Sequence, residues 1–305
     1  MSPARTIASA RLIIHPEDRP QVILALVGPA ILLFPFLLSA PLWVEILVWI
    51  NCWFLLCRHN YILHNHVHRP FTRLKLLNRV IGLCLGFTTG MTAGNWKITH
   101  IHGHHVEHSV AALRSRSYVK RLAIPDDESF SAASVARHLI RTVPIQWVLP
   151  VFILFRESLK PRSHRRVFYR FYLAEFLIVY GAVALLCWLW PAKGAAYFGI
   201  IYILVYSISR YMDYITHVSS KNASRYSFAN ICLNPRFNAT FWNFGHHVAH
   251  HLHPKAHWSE LPTLSCPLGL AEDGPPVAKS RSFLRCHAPV TYHWHRVRDG
   301  WRDPA

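Results

Sequence analysis

The sequence predicts an all-α integral membrane protein with four transmembrane helices and a cytoplasmic histidine-rich cap, and three observations carry that expectation. Of the 305 residues, 52% are hydrophobic and only 16% charged, against about a quarter charged in an average soluble domain. Uncharged apolar stretches reach the length of about 20 residues that a span requires. The 22 histidines gather beside the ends of those stretches rather than within them.

Residues 1–20 form a basic N-terminal segment with Arg5, Arg11 and Arg19. It resembles the start of a signal peptide, but the apolar region that follows is too long and is succeeded by another, so retention is expected. The membrane domain is placed at residues 21–262. Its first span, Gln21–Val44, has no charged residue, and Ser39-Ala-Pro41 reads as the turn at its far end. Leu42–Cys57 is the second span, interrupted only by Glu45. Phe171–Trp190 and Ala195–Ile215 are the third and fourth, with Trp188, Trp190 and Pro191 marking an interfacial turn between them. Val80–Thr92 and Ile145–Phe155 are apolar but short, and are expected to be re-entrant or interfacial helices. Residues 263–305 read as a cytoplasmic tail.

Charge orients these spans. The turns around Ser39 and Lys193 hold one basic residue between them, whereas the N-terminus, the stretch from Arg58 to Arg170 and the segment after His217 are rich in Lys and Arg. The positive-inside rule then puts both termini and the histidines in the cytoplasm. A formal charge of +18, from 33 Lys+Arg against 15 Asp+Glu, first suggests nucleic acid. Cations placed beside apolar segments suit anionic lipid headgroups and an acidic protein partner instead, and no nucleic-acid role is expected. Seven cysteines without a CxxC pair give no disulfide framework. The sequons at Asn222 and Asn238 fall on the cytoplasmic side.

The histidines form three groups: His64-Asn-His-Val-His68, His100-Ile-His-Gly-His104-His105, and His247-Val-Ala-His250-His251, with His217 closing the fourth span. Residues three or four apart share a helix face, so His64 with His68, His100 with His104, and His247 with His250 and His251 can converge. Asp213 and His217 are likewise four apart. About nine imidazoles are too many for one ion and suit two. A single HxxxH pair is more often an ordinary surface or core feature, but three groups on one predicted side are not. No His-Glu-x-x-His run supports a zinc peptidase, and a transporter would place its ionisable residues near the bilayer midplane. A metal-carrying membrane protein is the non-enzyme alternative. It would expose histidines to both sides.

The three boxes resemble those of the membrane fatty acid desaturase and hydroxylase superfamily in order and spacing from about Pro20 to Pro262. His251-Leu-His-Pro254 with Trp258-Ser-Glu-Leu-Pro262 is similar to the segment after a desaturase's third box. Asp213-Tyr-Ile-Thr-His217 resembles the family's extra metal-site element, with Asp where Asn is frequent. The resemblance implies two iron ions as cofactor and O2 as co-substrate. It makes His64, His68, His100, His104, His105, His217, His247, His250 and His251 ligands, with Asp213 ligating directly or through water. It implies a fatty acyl or membrane lipid substrate and a separate electron donor such as ferredoxin or a cytochrome b5-like carrier. Asn65 stands where desaturases often have Asp. Gly103 brings box two closer to alkane hydroxylases, and His102 is an alternative to His100. The expected reaction is acyl desaturation; hydroxylation or alkene-forming decarboxylation of a fatty acid, alkane or carotenoid-like chain is the alternative. His59, His66, His108, His246, His253 and His257 are expected to support the ligands or face solvent. The Cys286-His287 and His293-x-His295 cluster reads as an exposed tail.

Overall fold

A computed structural model describes residues 11–105, 131–159, 168–218 and 229–265, together with Ile124 and residues 295–296. Its elements are helical, apart from two short antiparallel pairings among the described residues: Asn230–Ile231 with His295–Arg296, and the single bridge Ile13–Thr72. Four helical stretches are long and apolar enough to cross a membrane: Pro16–Leu37, Ala132–Arg156, Phe171–Leu189 and Pro191–His217. Two bent pairs raise the number to six if each counts as one span. The chain divides into two compact units, Met1–Trp96 with Leu154–Val205, and Lys97–Ile153 with Tyr206–Ala305.

In the first unit, α1 (Arg19–Leu33) starts at Asp18, whose Oδ1 accepts from Gln21 Nε2 at 3.1 Å. It runs through Pro29 into a 3-10 turn at Phe34–Leu37. The chain then turns at residues 38–41. The second expected span proves to be two helices, α2 (Leu42–Asn51) and α3 (Trp53–His68), bent by 49°. α4 (Lys75–Thr89) ends at Gly90, whose φ of 68° is in the left-handed region open to glycine. An 85° bend leads into α5 (Ala93–Trp96). The Val80–Thr92 stretch therefore lies mostly within α4 and ends in this bend. Two side chains of α7 (Phe168–Leu189) hold that bend: Tyr180 donates to Gly90 O at 2.8 Å, and Glu175 Oε2 accepts from Gly94 N at 2.8 Å. α4 packs against α1, α3 and α7. His59 is wedged against Gly28, where a Cβ would lie 2.0 Å from its Cε1. Its Nδ1 meets Thr88 Oγ1 at 2.9 Å and its Nε2 meets Leu24 O at 3.2 Å. The imidazole is a core strut, which neither supports a ligand nor faces solvent.

The same unit closes around Trp49, which donates to Leu32 O at 3.1 Å and packs on Phe36 and Tyr197 at 5.4 and 5.3 Å between ring centroids. Glu45 is fully buried beside them and pairs with Lys193 Nζ at 2.6 Å. Lys193, on α8 (Pro191–Ala196), also donates to Leu38 O at 2.8 Å.

One expectation is corrected in a helix that lies mostly in the second unit. Ile145–Phe155 is not a short interfacial helix but part of α6 (Ala132–Ser158), 27 residues that include Pro144 and Pro150. Arg137, Arg141 and the prolines conceal its length in the sequence. Its periodicity explains it: Ser134, His138, Thr142 and Gln146 are buried at intervals of four, while Ile140, Val148, Val151 and Phe155 are exposed. The polar side meets α9 (Tyr202–His217), with Ser134 Oγ and Tyr214 OH 2.5 Å apart and the His138 and Tyr214 rings at 5.0 Å.

Candidate metal centre

Box one lies on the last turn of α3, in the first unit. His64 and His68 are on one face, with ring centroids 4.8 Å apart. Asn65 Oδ1 lies 3.3 Å from His64 Nδ1, and Asn65 Nδ2 donates to Gln21 Oε1 at 3.1 Å. A line of polar contacts thus runs from Asp18 through Gln21 and Asn65 to His64. Asp18 and Gln21 lie at the start of the first span, and no sequence signal ties them to the box. His66, on the opposite face, is anchored instead to Asn78 O at 3.0 Å.

Boxes two and three lie in the second unit and build two histidine triads. Box two occupies a π-helical segment, Lys97–His104. In that wider coil residues five apart share a face. His100 and His105 therefore pair, their Nε2 atoms 3.2 Å apart. The side chains of His102 and His104 lie outside the described residues. Box three occupies α11 (His247–Leu252), preceded by α10 (Pro235–Thr240). His250 Nε2 lies 3.1 Å from His105 Nε2, completing a triad of His100, His105 and His250. His217, at the end of α9, has its Nε2 3.2 Å from that of His247, which is 3.1 Å from that of His251. These form the second triad. The triads adjoin, with 4.4 Å between the His105 and His251 ring centroids.

The donor set fits metal ions. Six imidazoles direct Nε2 at one another at 3.1–3.2 Å, close to the separation of two nitrogens that each lie about 2.1 Å from a shared ion. Such nitrogens suit iron and other first-row metals. No cysteine or carboxylate joins either triad among the described residues. Asp213 stands one turn before His217, with its Oδ2 3.3 Å from Arg210 Nη1. It is not a member of the His217 triad.

The flanking histidines take structural places. Burial pushes His246 down to about 4, so the imidazole is neutral, and its Nδ1 lies 2.9 Å from Ser265 Oγ on α12 (Leu261–Ser265). His257 is buried and caps the 3-10 turn Trp258–Glu260. His253 is exposed. His108 and the C-terminal Cys286, His287 and His293 lie outside the described residues, as do the side chain of His295 and Asn222.

The fatty acid desaturase family model matches residues 38–277, a span that includes all three boxes and His217. The chain belongs to the fatty acid desaturase family. No curated protein and no solved structure matches it. Family members are generally di-iron oxidoreductases, and the apolar helices agree with an integral membrane protein.

Proposed function

We propose that this desaturase-family chain is an oxygen-dependent di-iron enzyme that introduces a C=C bond into a fatty acyl or lipid chain. The observation that carries the reading is the pair of adjoining triads, His100–His105–His250 and His217–His247–His251. Two neighbouring nests of neutral donors are what a dinuclear redox centre needs. The proposal adds His64 and His68, supplied by the first unit, and His104 to the ligand set, on their places in the family's boxes. Asp213, engaged by Arg210, is assigned to orient the His217 end of α9 or to act through water, not to ligate directly.

Bound iron supplies the power to use O2 against an unactivated C–H bond. Desaturation takes two hydrogens from adjacent carbons, and two further electrons and two protons complete the reduction of O2 to two waters. The chain's own work is to hold nine imidazoles in their neutral, ligating form and to keep the apolar chain against them. Electrons come from a separate acidic carrier, ferredoxin or a cytochrome b5-like protein, for which the basic face is the complement. The histidines and both termini are assigned to the cytoplasm. The one lysine near the opposite turns, Lys193, is paired with Glu45, which preserves the charge asymmetry behind that orientation.

Mass spectrometry of lipids and fatty acids from cells expressing the chain, beside His250→Ala, tests this reading. A product two mass units lighter, absent from the variant, is expected. A product sixteen units heavier would make the enzyme a hydroxylase, the outcome to which Gly103 in box two inclines. Loss of carbon dioxide with a terminal alkene would make it a decarboxylase. Unchanged product from His250→Ala would remove the triads from the chemistry.

A further inference from the structure

The metal-binding reading leaves unexplained how box three is kept in place. α11 has six residues, too few for a helix to hold its own conformation in water, yet it presents three of the six triad imidazoles. Its approach is strained at Trp242, whose φ of 50° lies in the left-handed region that costs ordinary residues about 1–2 kcal/mol; Asn243 follows at 57°. Such a backbone persists only where its surroundings over-determine it.

We propose that Asn238 is the positioning residue that over-determines it, clamping the chain between α10 and α11 so that His247, His250 and His251 face the metal ions. Asn238 is buried, and both ends of its carboxamide and its backbone carbonyl are used on this one turn. Its Nδ2 donates to Cys232 O at 2.9 Å, and its Oδ1 accepts from Gly245 N at 2.9 Å. Its backbone carbonyl accepts from Asn243 N at 2.8 Å, the residue at positive φ. Cys232 N closes the ring by donating to Gly245 O at 3.0 Å. Gly245 lies so close beneath that a Cβ would fall 2.1 Å from Cys232 O and 2.6 Å from Asn238 Oδ1. A carboxamide of this length is what the site admits. Aspartate cannot donate, leucine can do neither, and glutamine is longer by a methylene in a place with no room. From Gly245 the chain enters box three within two residues, so a shift of the clamp is a shift of the ligands. The same two hydrogen bonds and burial remove Asn238 from use as a glycan acceptor, although Asn238-Ala-Thr has the sequon pattern.

This inference rests on the triads being a metal centre, and one titration separates the two. Co2+ is titrated into the metal-stripped full chain in detergent, reading the visible d–d absorption and the affinity, with helical content and elution volume as checks on folding. Asn238→Leu is expected to bind about tenfold or more weakly with an altered absorption band. Asn238→Asp, which keeps the acceptor and gives up the donor, should fall between and carries the test if the leucine variant does not fold. Phe237→Ala, which removes a fully buried ring from the same short helix, should weaken thermal stability and leave the Co2+ spectrum and affinity unchanged. Wild-type affinity and spectrum in both Asn238 variants would overturn the clamp while the metal reading stands. Equal loss in Phe237→Ala would also overturn it, by reducing Asn238 to general stability. A wild-type chain that takes up no Co2+ would overturn the metal reading and the clamp together.

Discussion

At the scale of single residues, a charge placed inside an apolar protein calls for a partner. Lys193 is the clearest case. Its ammonium meets the fully buried Glu45 at 2.6 Å and the Leu38 carbonyl at 2.8 Å, and the lysine side chain is 21% exposed. Removing one partner of a buried pair leaves an uncompensated charge and costs more than the pair contributes. Lys193→Met is therefore expected to lower stability by about 3 kcal/mol, the lower end for such pairs because the ammonium is partly solvated. A thermal unfolding midpoint in detergent checks this. Glu45→Leu combined with Lys193→Met should recover most of the loss, since it removes the stranded charge; a double variant as unstable as the single one would refute the account. His59 teaches the same lesson differently. As one of 22 histidines beside a box it reads as a supporting group, but it fills the notch above Gly28 and bridges two helices.

At the scale of elements, bends and a change of helix type decide where the chemistry falls. The 85° break between α4 and α5 turns the chain toward box two. Glu175 secures the break by accepting from the Gly94 amide at the start of the new helix. Glu175→Leu should strand that N–H at a cost of about 1–3 kcal/mol, seen as a lower unfolding midpoint, with Glu175→Gln retaining an acceptor and most of the stability. Equal midpoints for leucine and glutamine would show that the hydrogen bond is not what holds the bend. In box two the π-helical backbone from Lys97 brings His100 to His105. Nothing in the residue types of Lys97–His104 announces that wider coil, which is rare and frequent at functional sites.

At the scale of the whole molecule, the apolar helices agree with an integral membrane protein, and the proposed orientation can be tested directly. Ser39 is exposed in the turn remote in sequence from every box. If the histidines are cytoplasmic, Ser39→Cys should react with a membrane-impermeant maleimide added outside intact cells, while wild-type chain should not. Labelling only after the membrane is opened would invert the assigned orientation.

Much of this was legible in the sequence because its causes are local and repeated. Uncharged apolar runs mark spans, since an unpaired charge in hydrocarbon is costly. Histidine groups at fixed spacing, flanking the spans, predicted a metal centre, and the triads assemble His100, His105, His217, His247, His250 and His251. The family resemblance carried by those boxes is matched over residues 38–277. Tertiary structure alone decided the rest. Ala132–Ser158 is one long helix because Ser134, His138, Thr142 and Gln146 share a buried face, a fact hidden by Arg137, Arg141 and two prolines. Asp213 turns to Arg210, and His59 to the core. Asn238, ordinary in sequence, holds the turn before box three. Composition and periodicity report what each residue prefers. Which of several satisfactory partners a buried polar group takes depends on which backbones approach it, and only the folded chain fixes that.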